Sequence, residues 1–156
     1  MAMLSLPHKD LSAGDDEQPL IKTLDGTTLT AAICYEDAYA AEMLYALPEA
    51  QILINVSNDA WFGDSIAPHQ HLQIARMRSL EMGRYTIRAA NTGISAFIGP
   101  RGKVHESGPQ FTAVTMTREV QPMQGATPYV AAGNWPILLI SWVVLGVFWI
   151  RSRAAL

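Results

Sequence analysis

The carboxyl-terminal part of the chain is free of charged side chains over a long stretch. No Asp, Glu, Lys or Arg occurs between Val120 and Ile150, and the segment "WPILLISWVVLGVFWI" ends directly before "RSRAAL". The strongly apolar part, Pro136 to Ile150, is shorter than the roughly 20 residues that a membrane helix needs. The uncharged "ATPYVAAGNW" before it completes the length. The sequence therefore predicts one membrane-spanning helix over residues 134–151.

Side chains at the two ends of this segment indicate its orientation. Trp135, Trp142 and Trp149 are expected to include the anchors at the membrane interface, and Arg151 and Arg153 mark the cytoplasmic side. Residues 152–156 are then a cytoplasmic tail, and the preceding domain lies outside, which is the periplasm in a Gram-negative cell. The amino end has no apolar segment long enough for a signal peptide. Nothing in the printed sequence therefore explains the export of that domain.

Composition excludes two broad classes of protein. Eleven basic against fourteen acidic residues give a net charge of -3, so the chain has no general attraction for nucleic acid. An apolar content of 49% excludes a mainly disordered chain.

His69 and His71 lie two apart on a predicted helix and do not face each other. This pair therefore predicts no metal site, and the chain is expected to need no cofactor.

Short apolar runs and helix-forming runs alternate before the uncharged segment. Residues 4–28 are predicted to be a loop with one short strand. Leu29–Cys34 and Gln51–Ser57 are continuous apolar runs, which predicts strands buried on both faces. The run between them, Glu36–Leu47, begins with two acids and stops at Pro48, which predicts a helix. Strand, helix and strand together have the size of one βαβ unit. Asn55, within the second strand, begins a glycosylation sequon that such a strand would bury.

A second group of elements follows the βαβ unit. The apolar residues of its helix do not gather on one face, which predicts burial on several sides. Strands joined at "NTG" and a turn at "GPRG" come next. The predicted elements are a helix from Pro68 to Gly83, strands at Tyr85–Asn91 and Ile94–Pro100, and a weaker strand pair over Val104–Thr117. The sequence thus predicts an α/β domain over residues 1–118 and a linker over residues 119–133.

The only cysteine of the chain, Cys34, lies where a predicted strand ends and a predicted helix begins. Ligands bind at the carboxyl ends of strands in open α/β sheets, and a helix amino end favours a thiolate. The adjacent carboxylates of Glu36 and Asp37 disfavour a thiolate. A reactive thiol here would need a cation and a base, and no residue near it in sequence supplies either. Position alone leaves open a packing role, as a small buried hydrophobe.

Four segments carry a family resemblance. They are "ICYED", "NVSNDAWFGDSIAPHQHLQIARMRSLEMGR", "RAANTGISAFIGPRGKV" and "GATPYVAAGNWP". Together they closely resemble the carboxyl-terminal part of the bacterial apolipoprotein N-acyltransferases, membrane enzymes of the nitrilase (carbon–nitrogen hydrolase) superfamily. The resemblance runs from about Leu20 to Arg151. It implies part of a nitrilase-like αββα sandwich, followed by one transmembrane helix.

The resemblance also implies a catalytic triad of Glu, Lys and Cys. Cys34 is then the nucleophile, and Tyr35 and Glu36 match neighbouring positions that the family needs. The family's Glu and Lys precede the cysteine and would supply the base and the cation. The residues considered upstream of the predicted strand, Lys9, Asp10, Glu17 and Lys22, do not lie in the family's pattern. The chain is therefore expected to be a carboxyl-terminal fragment without two of the three triad residues.

Further residues take expected roles from the same resemblance. The loop "SNDAWFG" borders the active site in the family, which assigns Asn58, Trp61 and Phe62 to substrate binding. Arg78 and Glu81 lie three apart on a helix and are expected to pair. In nitrilase-like proteins the matching segment supports the residues that contact the substrate. Arg78 and Glu81 are therefore expected to support the site without contacting the substrate themselves.

The activity that the resemblance implies is the transfer of an acyl chain from a phospholipid to a lipoprotein. Cys34 would attack the phospholipid ester and form a thioester, and the amino group of a diacylglyceryl-cysteine at the lipoprotein amino terminus would accept the acyl group. The expected location is the bacterial inner membrane, with the catalytic domain facing the periplasm. Two alternatives stay open. The uncharged tail argues against a soluble amidase or nitrilase, and the missing Glu and Lys favour a non-catalytic, membrane-anchored remnant.

Overall fold

Six strands pair in chain order to form one mixed sheet in the computed structural model, which describes residues 18–154. The neighbours β2, β3 and β4 are parallel, and the remaining pairs are antiparallel. The strands are β1 (Ile21–Lys22), β2 (Thr28–Ile33), β3 (Ile52–Ser57), β4 (Tyr85–Ala90), β5 (Ala96–Ile98) and β6 (Val104–Ser107). The predicted strands of the βαβ unit and the short strand before it are confirmed. The part of the predicted first loop up to residue 17 lies outside the described residues.

The single helix predicted over Glu36–Leu47 is wrong. The segment forms three short helices, which are a 3₁₀ helix at Cys34–Ala38, helix α1 at Ala40–Met43 and a 3₁₀ helix at Leu44–Ala46. The break falls at Tyr39, whose ψ of 78° is not helical. Asp37 is buried, and its carboxylate contacts the buried His71. This tertiary contact outweighs the local helix propensity of the run.

Helix α2 (Ala67–Met82) begins and ends close to the predicted bounds, and Gly83 closes it in the left-handed conformation with φ 64°. The predicted burial on several sides is wrong. The buried residues are spaced three or four apart on one face, and they are Pro68, His71, Ala75, Ser79 and Met82. The apolar side chains of Met77 and Leu80 are exposed instead. The buried stripe escaped the sequence pattern because two of its members are polar.

The helices cover one face of the sheet. The hydroxyl groups of Ser79 on α2 and Thr86 on β4 lie 2.6 Å apart, and Ala75 packs with two buried residues of β5. On the opposite face Ile33 is 63% exposed and its β3 neighbour Val56 is 42% exposed. The prediction that β2 and β3 are buried on both faces is therefore wrong for this chain, which forms one sheet with helices on one side.

The weaker strand pair predicted over Val104–Thr117 is half correct. Only β6 forms, and the next residues turn back onto the loop between β4 and β5. The amide of Gly108 donates to the Ser95 carbonyl at 2.9 Å, and the amide of Phe111 donates to the Thr92 carbonyl at 3.2 Å. Phe111 has a φ of 58°, which no strand adopts.

Two helices close the described chain. Helix α3 (Pro128–Ala132) lies within the predicted linker, and its Val130 packs against the core formed by Leu47, Ala50, Leu53 and Met82. Helix α4 (Trp135–Ala154) follows. Its stretch Trp135–Arg153 has a mean hydropathy of 1.6 with none of it buried, which makes it the one candidate membrane span among the described residues.

Candidate active site

Cys34 is the first residue of the 3₁₀ helix that directly follows β2, so it lies at a strand end and a helix start, as the sequence predicted. Its φ is 54°, in the left-handed region that residues other than Gly, Asn and Asp rarely adopt. The thiol is partly exposed. Ser57, the last residue of β3, places its hydroxyl oxygen 3.5 Å from the sulfur. The backbone at this cysteine is thus held in a strained conformation, and such conformations persist only where surrounding contacts impose them.

The surrounding contacts reach the carbonyl oxygen of Cys34. The side-chain amide of Asn55 donates to this oxygen at 3.1 Å and to the Ala32 carbonyl at 3.3 Å. His71 Nε2 lies 3.2 Å from the same Cys34 oxygen. β3 and α2 therefore both hold the turn.

The carboxylates of the two acids that follow Cys34 both interact with other groups of the chain. Glu36 is exposed, and its carboxylate accepts a hydrogen bond from the Ile33 amide at 2.6 Å, which caps the turn. Asp37 is buried, with Oδ1 3.2 Å from His71 Nε2 and Oδ2 3.8 Å from Arg88. The sequence offered no cation near these acids because His71 and Arg88 come from later elements.

Asp59 is the centre of the buried polar cluster behind Cys34. Its Oδ1 accepts from the Ser57 hydroxyl at 2.6 Å and lies 3.0 Å from His71 Nδ1, and its Oδ2 pairs with Arg88 at 2.8 Å. Burial works to raise the pKa of Asp59, but the hydrogen bonds from Ser57 and His71 and the charge of Arg88 outweigh it and lower that pKa. A Cβ at Gly93 would lie 2.2 Å from Asp59 Oδ2, so only glycine fits there.

The buried cation of the cluster is Arg88. Its Nε donates to the Ile94 carbonyl at 3.2 Å, and one terminal nitrogen donates to the side-chain oxygen of Asn55. Residues 55 and 88 are direct partners across β3 and β4. Arg88 therefore has fixed partners of opposite sign in Asp37 and Asp59, as a buried charge requires.

Sequence reasoning missed five members of this cluster, which are Asn55, Ser57, Asp59, His71 and Arg88. For Asn55, Ser57 and Arg88 the signal was present, as polar residues at alternate positions of otherwise apolar strands. Asn55 and Ser57 share one face of β3, and Thr86 and Arg88 share the same face of β4. An apolar strand with polar residues on one face indicates a buried network there.

The loop predicted to bind substrate lies after β3, at the same end of the sheet as Cys34. Asn58 caps the 3₁₀ helix Asp59–Phe62 by accepting from the Ala60 amide at 3.1 Å. Trp61 and Phe62 are exposed. Tyr35 is exposed as well, and its ring lies 5.9 Å from that of His71. The substrate-binding roles of these residues remain predictions.

The expected ion pair on α2 forms, and Arg78 Nη2 lies 3.0 Å from Glu81 Oε2. It lies toward the carboxyl end of the helix, and seven residues at about 1.5 Å each place Arg78 on the order of 10 Å along the axis from His71. A supporting role for this pair at the site stays a prediction.

A cavity of about 400 Å³ opens at the carboxyl end of β4, beside the buried cluster. Its lining includes Asn91, Gly93 and Phe111, and the amide of Asn91 donates to the Ser57 carbonyl at 3.1 Å. The cavity and Cys34 therefore share one end of the sheet. Among residues 18–154, no group of three or more His, Cys, Asp or Glu side chains could hold a metal ion.

The candidate triad partners upstream of Cys34 are only partly covered by the structure. Lys22 lies in the edge strand β1 and is exposed. Lys9, Asp10 and Glu17 lie outside the described residues.

The fold agrees with the comparisons to known proteins. The chain belongs to the carbon–nitrogen hydrolase family, whose profile matches residues 5–129. It is 46% identical, over 97% of its own length, to the apolipoprotein N-acyltransferase of Methylococcus capsulatus, and 50% identical, over 85%, to that of Nitrosomonas europaea. The chain spans only 30% and 26% of the length of these two relatives. The resemblance expected from the sequence is confirmed.

Solved structures show the same fold. The chain is similar to an amidase from Nesterenkonia sp., with a TM-score of 0.54 and 18% identity over 84% of this chain and 49% of that one. It is also similar to a mutant of the Nesterenkonia sp. AN1 amidase that carries the acetamide moiety of fluoroacetamide on its active-site cysteine, with a TM-score of 0.53 and 16% identity over 86% of this chain and 51% of that one. The predicted partial nitrilase-like α/β fold is confirmed.

Proposed function

We propose that this chain carries the nucleophile of an apolipoprotein N-acyltransferase. The observation that supports this most is Cys34, a partly exposed thiol on a strained turn that a buried network holds in place. A cysteine that only fills space needs neither strain nor such a network. The acyltransferase relatives match nearly the whole chain, which favours this activity over that of the amidase neighbours.

The proposed reaction has two steps. The Cys34 thiol loses its proton, its sulfur attacks the ester carbonyl of a phospholipid, the ester bond breaks, and the leaving alkoxide takes up a proton to depart as the hydroxyl of a lysophospholipid. The acyl group is then a thioester on Cys34. The amino group of a diacylglyceryl-cysteine at a lipoprotein amino terminus attacks this thioester, forms an amide and loses a proton, and the thiol is restored.

This reaction needs a base and a cation beside the sulfur. In the part of the chain that the structure describes, the cations of the cluster contact the carbonyl of Cys34 and the two buried aspartates rather than the sulfur. The Glu and Lys that the family resemblance implies would supply the missing chemistry from the part of the relatives that this chain does not span. The exposed rings of Tyr35, Trp61 and Phe62 offer an apolar surface for an acyl chain.

The proposed location follows from α4. This helix would cross the bacterial inner membrane with Arg151 and Arg153 on the cytoplasmic side. The sheet domain would then face the periplasm, where phospholipid headgroups and lipoprotein amino termini are within reach. No cofactor is needed for either step, because both are acyl transfers.

A chimera tests the proposal. The segment of the Methylococcus capsulatus relative that matches this chain is replaced by this chain, and the product is assayed for lipoprotein N-acylation in cells depleted of their own acyltransferase. We expect complementation and a mass-spectrometric acyl adduct on Cys34. Cys34→Ser should remove the turnover, since a neutral hydroxyl is a far weaker nucleophile.

The controls separate the alternatives. His69→Gln changes an exposed histidine that contacts Gln110 and should leave acylation unchanged. Retained N-acylation in Cys34→Ser would refute the proposal, and hydrolysis of short amides without acyl transfer would favour the amidase reading. We expect the 156-residue chain alone to form no thioester with phosphatidylethanolamine at a rate near that of the chimera.

A further inference from the structure

We propose that His71 is a protonated imidazolium at neutral pH and that it acts as a positioning residue for Cys34. The protonation state concerns the fold alone, and the positioning role rests on the proposed function of Cys34. His71 is 3% exposed, so its ring has no solvent to exchange its hydrogen bonds with.

The first argument is the identity of the atoms around the ring. Nδ1 lies 3.0 Å from the Asp59 carboxylate. Nε2 lies 3.2 Å from the Asp37 carboxylate and 3.2 Å from the Cys34 carbonyl oxygen. Carboxylates and carbonyl oxygens accept hydrogen bonds and do not donate them. Both ring nitrogens must therefore carry a hydrogen, which is the charged form of histidine.

The second argument is the charge balance of the buried cluster. The charged and titratable groups that face His71 are Asp37 from the first 3₁₀ helix, Asp59 from the helix after β3, and Arg88 from β4 through these carboxylates. The Tyr35 ring lies beside it, uncharged. Two carboxylates and Arg88 alone leave one uncompensated negative charge, and a protonated His71 makes the cluster neutral. An uncompensated buried charge is strongly disfavoured.

The pKa of His71 is shifted in the direction that favours its protonated form. Burial works to lower the pKa of His71, and the charge of Arg88 acts in the same direction. The hydrogen bonds and charges of Asp37 and Asp59 outweigh both and raise that pKa above its ordinary value.

The consequence for Cys34 lies in its backbone. A left-handed φ is unfavourable at a residue other than glycine, so the turn needs contacts that hold it. His71 and Asn55 both donate to the carbonyl oxygen of that residue. Through Asp59, His71 also supports Ser57, whose hydroxyl lies beside the sulfur. One charged ring thus holds both the backbone and the side-chain surroundings of the nucleophile.

Nitrogen NMR of the full chain in detergent micelles tests the protonation state directly. The His71 resonances are assigned by their loss in His71→Gln. At about pH 7, above the ordinary histidine pKa of about 6.5, we expect both ring nitrogens of His71 to show the shifts of protonated nitrogen. One protonated and one bare nitrogen at that pH would overturn the proposal. If that variant does not fold, the resonances are assigned instead by through-bond correlation of the His71 ring with its backbone in the unsubstituted chain.

Alkylation tests the charge near the sulfur. Cys34 is the only thiol, so the rate ratio of anionic iodoacetate to neutral iodoacetamide reports the local potential. His71→Gln changes the cluster by one charge and should lower this ratio about threefold to tenfold at low salt, with less effect at high salt. His69→Gln should leave it unchanged. An unchanged ratio in a folded His71→Gln chain would contradict the proposal.

Acylation kinetics in the chimera test the positioning role. His71 contacts the nucleophile and not the substrate, so His71→Gln should lower kcat about tenfold or more with little change in the KM for phospholipid. Asn55→Ala removes the other donor to the same carbonyl without changing charge. It should lower kcat while leaving the alkylation ratio unchanged. An equal kcat in both variants and the parent would refute the positioning role. Acyl transfer that persists in Cys34→Ser would instead refute the proposed function.

Discussion

The buried aspartates and histidine behind Cys34 make the stability of the domain depend on pH in two directions. The raised pKa of His71 gives stability that is fully present below the unfolded value of about 6.5 and is lost as pH rises through the folded pKa. The lowered pKa of Asp59 gives stability that is present above its unfolded value and is lost as pH falls through the folded pKa. The free energy of unfolding should therefore be greatest between these limits.

Urea unfolding followed by tryptophan fluorescence, at a series of pH values in detergent, measures this profile. In His71→Gln we expect the loss of stability on the alkaline side to disappear while the acid side remains, because Asp59 keeps Ser57 and Arg88 as partners. A variant with the same alkaline limb as the parent would show that another group causes it. His69→Gln serves as the matched control.

Individual site residues differ in how far the sequence predicts them. The place of Cys34 at a strand end follows from local signals, which are an apolar run before it and acids after it. The partners of its carbonyl do not. Asn55 and His71 lie 21 and 37 positions away, and only the strand register and the face of α2 bring them together. The left-handed φ of Cys34 has no signal in a single sequence.

Among the secondary-structure elements, α3 depends on one side chain. The Thr127 hydroxyl accepts from the Val130 amide at 3.1 Å, as an amino-terminal cap, and donates to the Glu81 carbonyl at the end of α2. Thr127→Val removes both hydrogen bonds with little change in shape. We expect a loss of about 1 kcal/mol in the free energy of unfolding and faster hydrogen exchange in α3. The exposed Thr117→Val should change neither, and equal exchange in the two variants would contradict the capping role.

Elements with strong local signals could be predicted from the sequence. The strands β2, β3 and β4 and the ends of α2 follow from apolar runs and from Pro68 and Gly83. The helix predicted over Glu36–Leu47 failed because Asp37 has partners in later elements, and no local pattern records them. The second strand of the Val104–Thr117 pair failed because Gly108 and Phe111 bind the loop between β4 and β5 instead of β6.

For the whole molecule, the sharpest prediction concerns α4. We expect the full chain to remain in the membrane fraction after carbonate washing, because the helix is apolar on all sides and unburied. Val144→Arg places a charge near its middle and should cost about 2.5–3.5 kcal/mol of insertion, releasing more protein. Gln121→Arg, outside the helix, should not. Complete release of the unsubstituted chain would refute the membrane assignment.

At this scale the family resemblance, rather than periodicity, predicted the partial sandwich. Continuous apolar runs correctly indicated strands but overstated their burial, since Ile33 and Val56 are exposed on the uncovered face of the sheet. The runs make physical sense if a second sheet covers that face in longer members of the family. We expect the chimera, which restores the rest of a relative, to bury these two side chains.

The long sequence separations behind Cys34 have a consequence for folding. Its turn is held by residues from β3 and α2, and these are held in turn by Arg88 in β4. Contacts between residues far apart in sequence close large loops and form late. The turn can therefore take shape only after three parallel strands have aligned. A nascent or misfolded copy carries an unconstrained thiol, and the strained geometry is present only in a copy that has completed its sheet.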